Sequence, residues 1–340
     1  MKKELKFVCC QPDDSYYTWQ VHLWLESLRK LGHSDKAIVL LYVPDFRVQN
    51  TKWTQVIDLY PEAEFVFYKD VDKVSKFLSI YIPIIRPYVL MRYFGEHPEM
   101  KEKAVFYCDS DIVFTENFNI DKYIDDDICY LSDTNSYINA SYFDSKERDV
   151  LPNKLEEYKK RDVLTEVAEL NDISREICEL NNLHSGGAQY LLKNIDEEYW
   201  EDVFNSCLLI RTYLREINQE FFENENKGFQ SWCADMWAVL WNIWKHEGKT
   251  LVIPELEFSW SSDGIQKLER TTILHNAGIT DPSMGGAYPA FYKGTYHTGK
   301  DPFEDPHLQD VLNNETSQKH CTHYYLQQLL ELKEKYNLKY

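Results

Sequence analysis

Apolar and polar blocks alternate along the chain in a way that predicts strands and helices by turns. Residues 5–10 (LKFVCC) predict a first strand that runs into a polar loop at 11–15. An amphipathic pattern over 18–31, ended by Gly32, predicts the first helix. Strands follow at 37–43, 64–68 and 104–107, with a helical region over 77–94 that Pro83 and Pro87 interrupt. After a strand at 129–131, the charged stretch 154–180 predicts a surface helical insertion within 150–183. An apolar piece at 186–192 comes next, then helices at 197–222 and 232–245, strands at 250–253 and 271–274, and a closing amphipathic helix at 323–336. Strands alternating with helices predict an α/β fold with a mixed, mainly parallel sheet that gathers its ligands at the carboxyl ends of the strands. Residues 278–306 are rich in Gly, Pro and Tyr and too long for an ordinary connection, which makes them a candidate active-site loop. No repeat or low-complexity linker divides the chain, so 1–340 is expected to be a single domain.

Composition narrows the class. The formal charge of −19 argues against a broad polyanion-binding surface and leaves room for local basic pockets. No run approaches 18 apolar residues and the N-terminus lacks a signal-peptide core, so a cytoplasmic protein without membrane association is expected. The eight cysteines are scattered, mostly in apolar segments and without a C-x-x-C pair, as buried reduced thiols would be.

The candidate chemistry centres on AVFYCDSDIVF, residues 104–114, where an apolar strand runs into Asp109-Ser110-Asp111. If the strand continues, the two carboxylates share one side and Ser110 faces the other. A carboxylate pair at a strand end suits Mg²⁺ or Mn²⁺ with room for substrate phosphates, the alternative being two solvated aspartates in a turn. Asp70-Val-Asp72 and Asp125-Asp126-Asp127 have the same spacing without the strand context. His275 leaves the apolar string TTIL and is a candidate third ligand or a packed core histidine. Lys293 and His297 lie in the late loop, positioned to fold over phosphates. Arg86 precedes Pro87 at a helix start, where its planar fork would meet a diphosphate or sugar hydroxyls. Gly186, Gly187 and Gln189 open an apolar strand, where glycines admit a ligand close to the backbone or make a plain turn. Asp235 is the single carboxylate in the apolar string WCADMWAVLWNIW and is expected to be paired or used, as a general base or as a holder of a sugar hydroxyl.

Taken in order, these strings resemble the GT-A family of nucleotide-sugar-dependent glycosyltransferases. Asp109-Ser110-Asp111 is similar to the family's D-x-D, and His275 to its late histidine ligand. The resemblance implies a Rossmann-like GT-A fold, a divalent metal (Mn²⁺ or Mg²⁺) on Asp109, Asp111 and His275, and a nucleoside-diphosphate-sugar donor, UDP-linked. It further implies that Arg86, Ser110, Lys293 and His297 meet the donor, as a basic residue does in glycogenin-like members. By the same resemblance the loop with Gln11, Asp14 and Tyr16 receives the nucleoside, the Gly186-Gly187 strand lines the sugar, and Gln189 and Asp235 face the reaction centre. GFQSWCADMWA, residues 228–238, is similar to a Gly-Trp-containing acidic helix of hydroxyproline arabinosyltransferase-like enzymes. HNAGIT and FYKGTYHTGKDPF resemble in texture the tails of bacteriophage enzymes that glycosylate hydroxymethylated pyrimidines, which implies a modified DNA acceptor such as hydroxymethylcytosine. Glycosyl transfer to protein or glycan hydroxyls, metal-dependent nucleotidyl transfer or phosphohydrolysis, and non-catalytic ligand binding are the alternatives.

Overall fold

The computed structural model describes residues 3–44, 49–78, 81–224, 227–280, 290–297 and 299–338. Among these, ten strands occur in chain order: β1 Leu5–Pro12, β2 Ala37–Val43, β3 Glu64–Lys69, β4 Ala104–Cys108, β5 Ile112–Phe114, β6 Ile128–Leu131, β7 Gln189–Lys193, β8 Lys249–Val252, β9 Phe258–Trp260 and β10 Ile273–His275. Seven form a sheet of order β3-β2-β1-β4-β7-β6-β8, and β5, β10 and β9 form a second, small sheet. β1 with β2, β2 with β3 and β6 with β8 pair in parallel, whereas β6 and β7 are antiparallel. The architecture is therefore mixed α/β with a mainly parallel sheet flanked by helices, as the alternation of blocks predicts. The chain divides into two compact units, the first made of Met1–Leu5, Asp70–Tyr107 and Lys122–Ile253, the second of Lys6–Lys69, Cys108–Asp121 and Pro254–Tyr340.

In the second unit β2, AIVLLYV, is buried at all seven positions, as a parallel strand covered on both faces must be. The first helix is Ser15–Lys30 and starts three residues earlier than the apolar period predicts, because Asp14 caps it by accepting from the Tyr16 N–H. It ends in a Schellman motif: Gly32 takes φ +74°, its N–H donates to the Arg29 carbonyl, and the His33 N–H donates to that of Leu28. The late segment is pinned to this helix and to the last one, Cys321–Tyr336. Phe291, Tyr296 and Phe303 pack with Tyr16, Trp19, Tyr325 and Leu329 in one apolar cluster. Residues 281–289 and 298 of the candidate loop lie outside the described residues.

In the first unit the helices Glu197–Phe221 and Ala234–Lys245 pack together. The charged stretch is three short helices, Leu155–Tyr158, Val163–Glu169 and Arg175–Leu180. Asp162 and Ser174 accept from the Thr165 and Ile177 N–H groups and so restart the helix twice. None of the eight cysteines is in a disulfide, seven of them being buried and Cys233 half-buried. Among the described residues no helix is long and apolar enough to cross a membrane.

Candidate metal centre

The Asp-Ser-Asp does not lie on a strand, as the sequence suggests, but in the turn between β4, which ends at Cys108, and β5, which starts at Ile112. The strand is interrupted there, so strand alternation does not set the directions of Asp109 and Asp111. Register does the rest: β10 pairs antiparallel with β5, placing His275 opposite Ile112, one residue from Asp111. The Asn276 N–H donates to the Asp111 carbonyl at 2.9 Å, and Ser261 Oγ to Asn276 Oδ1 at 2.6 Å, fixing the strand exit. Trp260 and Phe258 of β9 hold the imidazole of His275, with ring centroids 5.1 and 5.6 Å away.

One ligand atom from each of Asp109, Asp111 and His275 lies within 4.8 Å of the others, which is compact enough for the three to share a metal ion. Asp111 and His275 are buried and Asp109 is half-buried. Asp111 Oδ1 is enclosed without a hydrogen bond, and His275 Nε2 stands 3.3 Å from it, out of hydrogen-bond alignment. An orphaned buried carboxylate oxygen facing an imidazole nitrogen suits a shared cation, so the donor set fits a hard divalent metal. The Lys293 ammonium contacts Asp111 Oδ2. Burial alone would raise the Asp111 carboxyl, but the charges of Lys293 and His275 override it and hold the group well below the usual carboxylate range.

The two look-alike strings are absorbed by local structure. Asp70 accepts from the Val74 and Ser75 N–H groups, Asp72 from the Tyr88 hydroxyl, Asp126 from Lys193 and Tyr130, and Asp127 from Lys3 and Asn194.

The other expected residues divide between the units. In the second, Ser110 Oγ is buried without a hydrogen bond, and Gln11 is buried at the end of β1. Tyr16 and His297 come together as a stacked pair, ring centroids 3.8 Å apart and 17° from parallel. Burial and then the nearby Lys293 charge lower the His297 pKa, while burial and then the Asp111 charge raise that of Tyr16. Asp14 is engaged as the helix cap.

In the first unit Arg86 and Asp235 meet: the guanidinium donates to Asp235 Oδ2 at 2.8 Å, and the Tyr81 hydroxyl lies 2.8 Å from Oδ1 and accepts from the Asp235 N–H at 2.9 Å. Gly186 and Gly187 are needed by the protein's own packing. A Cβ on Gly186 would stand 2.3 Å from the Ser132 carbonyl oxygen, and one on Gly187 would stand 2.5 Å from the Tyr190 hydroxyl. Gln189 is fully buried, its side-chain carbonyl accepting from Ser132 Oγ at 2.6 Å.

Sequence reasoning missed Trp260 and Phe258, which pack on the His275 ring, and Tyr325, a buried tyrosine whose pKa burial and then the Asp111 charge push upward. The string LEFSW, residues 256–260, alternates apolar and polar positions as a strand does, but β9 is only three residues long.

No family model matches the chain, and no curated protein matches it. Among solved structures it is similar to the bifunctional glycosyltransferase WbbM in its apo form, at 12% identity and TM-score 0.44 over 97% of this chain and 52% of that one. It is also similar to apo mouse xyloside xylosyltransferase 1, at 10% identity and TM-score 0.35 over 80% of this chain and 97% of that one. The chain thus spans about half the length of WbbM. Likeness at this level leaves function to be argued from the chain's own residues.

Proposed function

We propose that the chain is a metal-dependent glycosyltransferase of the GT-A, D-x-D type, moving a sugar from a UDP-linked donor to an acceptor hydroxyl. The observation that carries this reading is the buried Asp111, which has one oxygen turned to His275 without a hydrogen bond and the other on the Lys293 ammonium. A cation site beside a cationic side chain suits a diphosphate, whose charge grows on the β-phosphate oxygen released from the sugar carbon as that bond breaks. Asp109, Asp111 and His275 would hold Mn²⁺ or Mg²⁺, which when bound supplies Lewis-acid neutralisation of the departing diphosphate.

The chain's own residues do the rest. Lys293 hydrogen-bonds a phosphate oxygen, exchanging one anionic partner for another. His297, stacked on the buried Tyr16, and the loop that begins at Gln11 are assigned to the nucleoside by the family resemblance, and Trp260 and Phe258 pack against the His275 ring. For Asp235 the assignment to the transferred sugar or the acceptor hydroxyl rests on the family resemblance, and Arg86 and Tyr81 keep its carboxylate in place.

Incubation with UDP-sugars, Mn²⁺ and a panel of hydroxylated acceptors tests the reading. The panel contains glycans, a serine- and hydroxyproline-bearing peptide, and hydroxymethylcytosine DNA. UDP release together with a sugar mass shift on one acceptor is expected. Release of sugar 1-phosphate with uridylyl transfer would favour nucleotidyl transfer, and an unchanged donor with every acceptor would contradict the proposal.

A further inference from the structure

Trp232 is 56% exposed, while the chain's other tryptophans are buried or half-buried. Leaving so large an apolar ring in water forfeits burial, and the first unit nonetheless gives it aromatic and cationic neighbours. Its carbonyl lies 2.7 Å from the Tyr81 hydroxyl, and the Tyr81 ring meets it edge-on with centroids 5.6 Å apart. The Arg211 guanidinium, itself buried, lies 5.7 Å from its ring centroid and donates to Ser231 Oγ next in the chain. The same Tyr81 hydroxyl contacts Asp235, which Arg86 pairs, so the Trp232 backbone and the Asp235 carboxylate, three residues apart, meet on one hydroxyl. Gln230, also exposed, adds an amide beside it. An exposed aromatic face among hydrogen-bonding groups differs from an apolar protein-docking patch, because its surround is polar.

We propose that Trp232 is a carbohydrate platform. A pyranose ring of a glycan lies with its C–H face on the electron-rich indole face, and Asp235 and Arg86 hydrogen-bond its hydroxyls. Weakly positive C–H groups suit the negative face of the ring, and vicinal hydroxyls suit a carboxylate with lone pairs to spare beside a guanidinium. That this glycan is the acceptor rests on the glycosyltransferase reading; that the platform binds sugar does not.

The test is binding to an immobilised panel of xylose-, hexose- and N-acetylhexosamine-terminated oligosaccharides in EDTA, followed by tryptophan fluorescence titration with the best binder. Single-stranded hydroxymethylcytosine DNA serves as the competing probe. The intact chain is expected to bind at least one glycan. Trp232→Ala should weaken that binding at least tenfold and Trp232→Phe by less than about threefold, since an aromatic face is retained. Far-ultraviolet circular dichroism and the urea unfolding midpoint should be the same in all three proteins, which shows that the variants are folded. Absence of glycan binding, equal binding by Trp232→Ala, or Trp232-dependent binding of the DNA alone would each overturn the proposal. Glycan binding without any Mn²⁺ or UDP binding would support the platform while removing the glycosyltransferase reading.

Discussion

Lys293 and Asp111 form the contact that decides the chemistry at the scale of single residues. An ammonium on a carboxylate that also serves a cation site competes with the cation, so Lys293→Met should tighten Mn²⁺ binding in the absence of nucleotide by roughly 3–10-fold. The same change should weaken UDP binding in the presence of Mn²⁺ by about tenfold, because a charge-assisted hydrogen bond to phosphate is lost. Mn²⁺ electron paramagnetic resonance titrations with and without UDP separate the two effects, and a shift of both affinities in one direction would contradict this assignment of Lys293. The residues with charge or metal-ligand chemistry were the legible ones, because a carboxylate pair behind an apolar strand and a histidine at a strand exit carry position as well as type. The family resemblance implies ligand-facing roles for Gly186 and Asp14, and the structure gives each a further local task, Gly186 lying where a Cβ would meet the Ser132 carbonyl and Asp14 capping a helix. Both are satisfied by partners that a linear string does not display.

At the scale of elements, Glu26 ties the first helix to the last. It is buried and accepts from Lys335 at 2.7 Å, Tyr336 at 2.8 Å and Tyr60 at 3.0 Å. Burial alone would raise its carboxyl, and these three donors outweigh that and hold the pKa below the ordinary glutamate value. A carboxyl depressed by folding stabilises the fold above its unfolded pKa, about 4.3, and loses that contribution as pH falls through the lower folded value. Glu26→Gln should therefore cost about 1–3 kcal/mol at pH 7 in urea unfolding, with the gap to the parent narrowing below about pH 4. A gap that is unchanged between pH 7 and pH 3 would argue against an ionised Glu26. Asp14→Ala should cost about 1 kcal/mol by the same method and Asp14→Asn much less, as for any helix cap. Strands that carry their own apolar run, such as β2 with seven buried positions, were legible. The three-residue β5 and β9 were not, because they exist through their pairing with β10 and have too few residues to show a period.

At the scale of the whole molecule, alternating apolar blocks were enough for an α/β chain with a mainly parallel sheet, but the second small sheet that delivers His275 was invisible in them. Asp109, Asp111, His275 and Lys293 all belong to the second unit. Saturating Mn²⁺, at about 100 times its dissociation constant, should stabilise a folded state that binds it by about 2.7 kcal/mol. Amide exchange should slow most in 108–121 and 254–280, and slowing confined to 122–253 would place the ion elsewhere. The account stands on one claim: a metal held by Asp111 binds the donor's diphosphate. Its most direct test is calorimetric titration of UDP into the chain with Mn²⁺, with EDTA, and with Mn²⁺ in the Asp111→Ala variant. Binding that requires Mn²⁺ and weakens by about 100-fold or more without the Asp111 carboxylate is the predicted result. UDP binding of equal strength in all three titrations would contradict it.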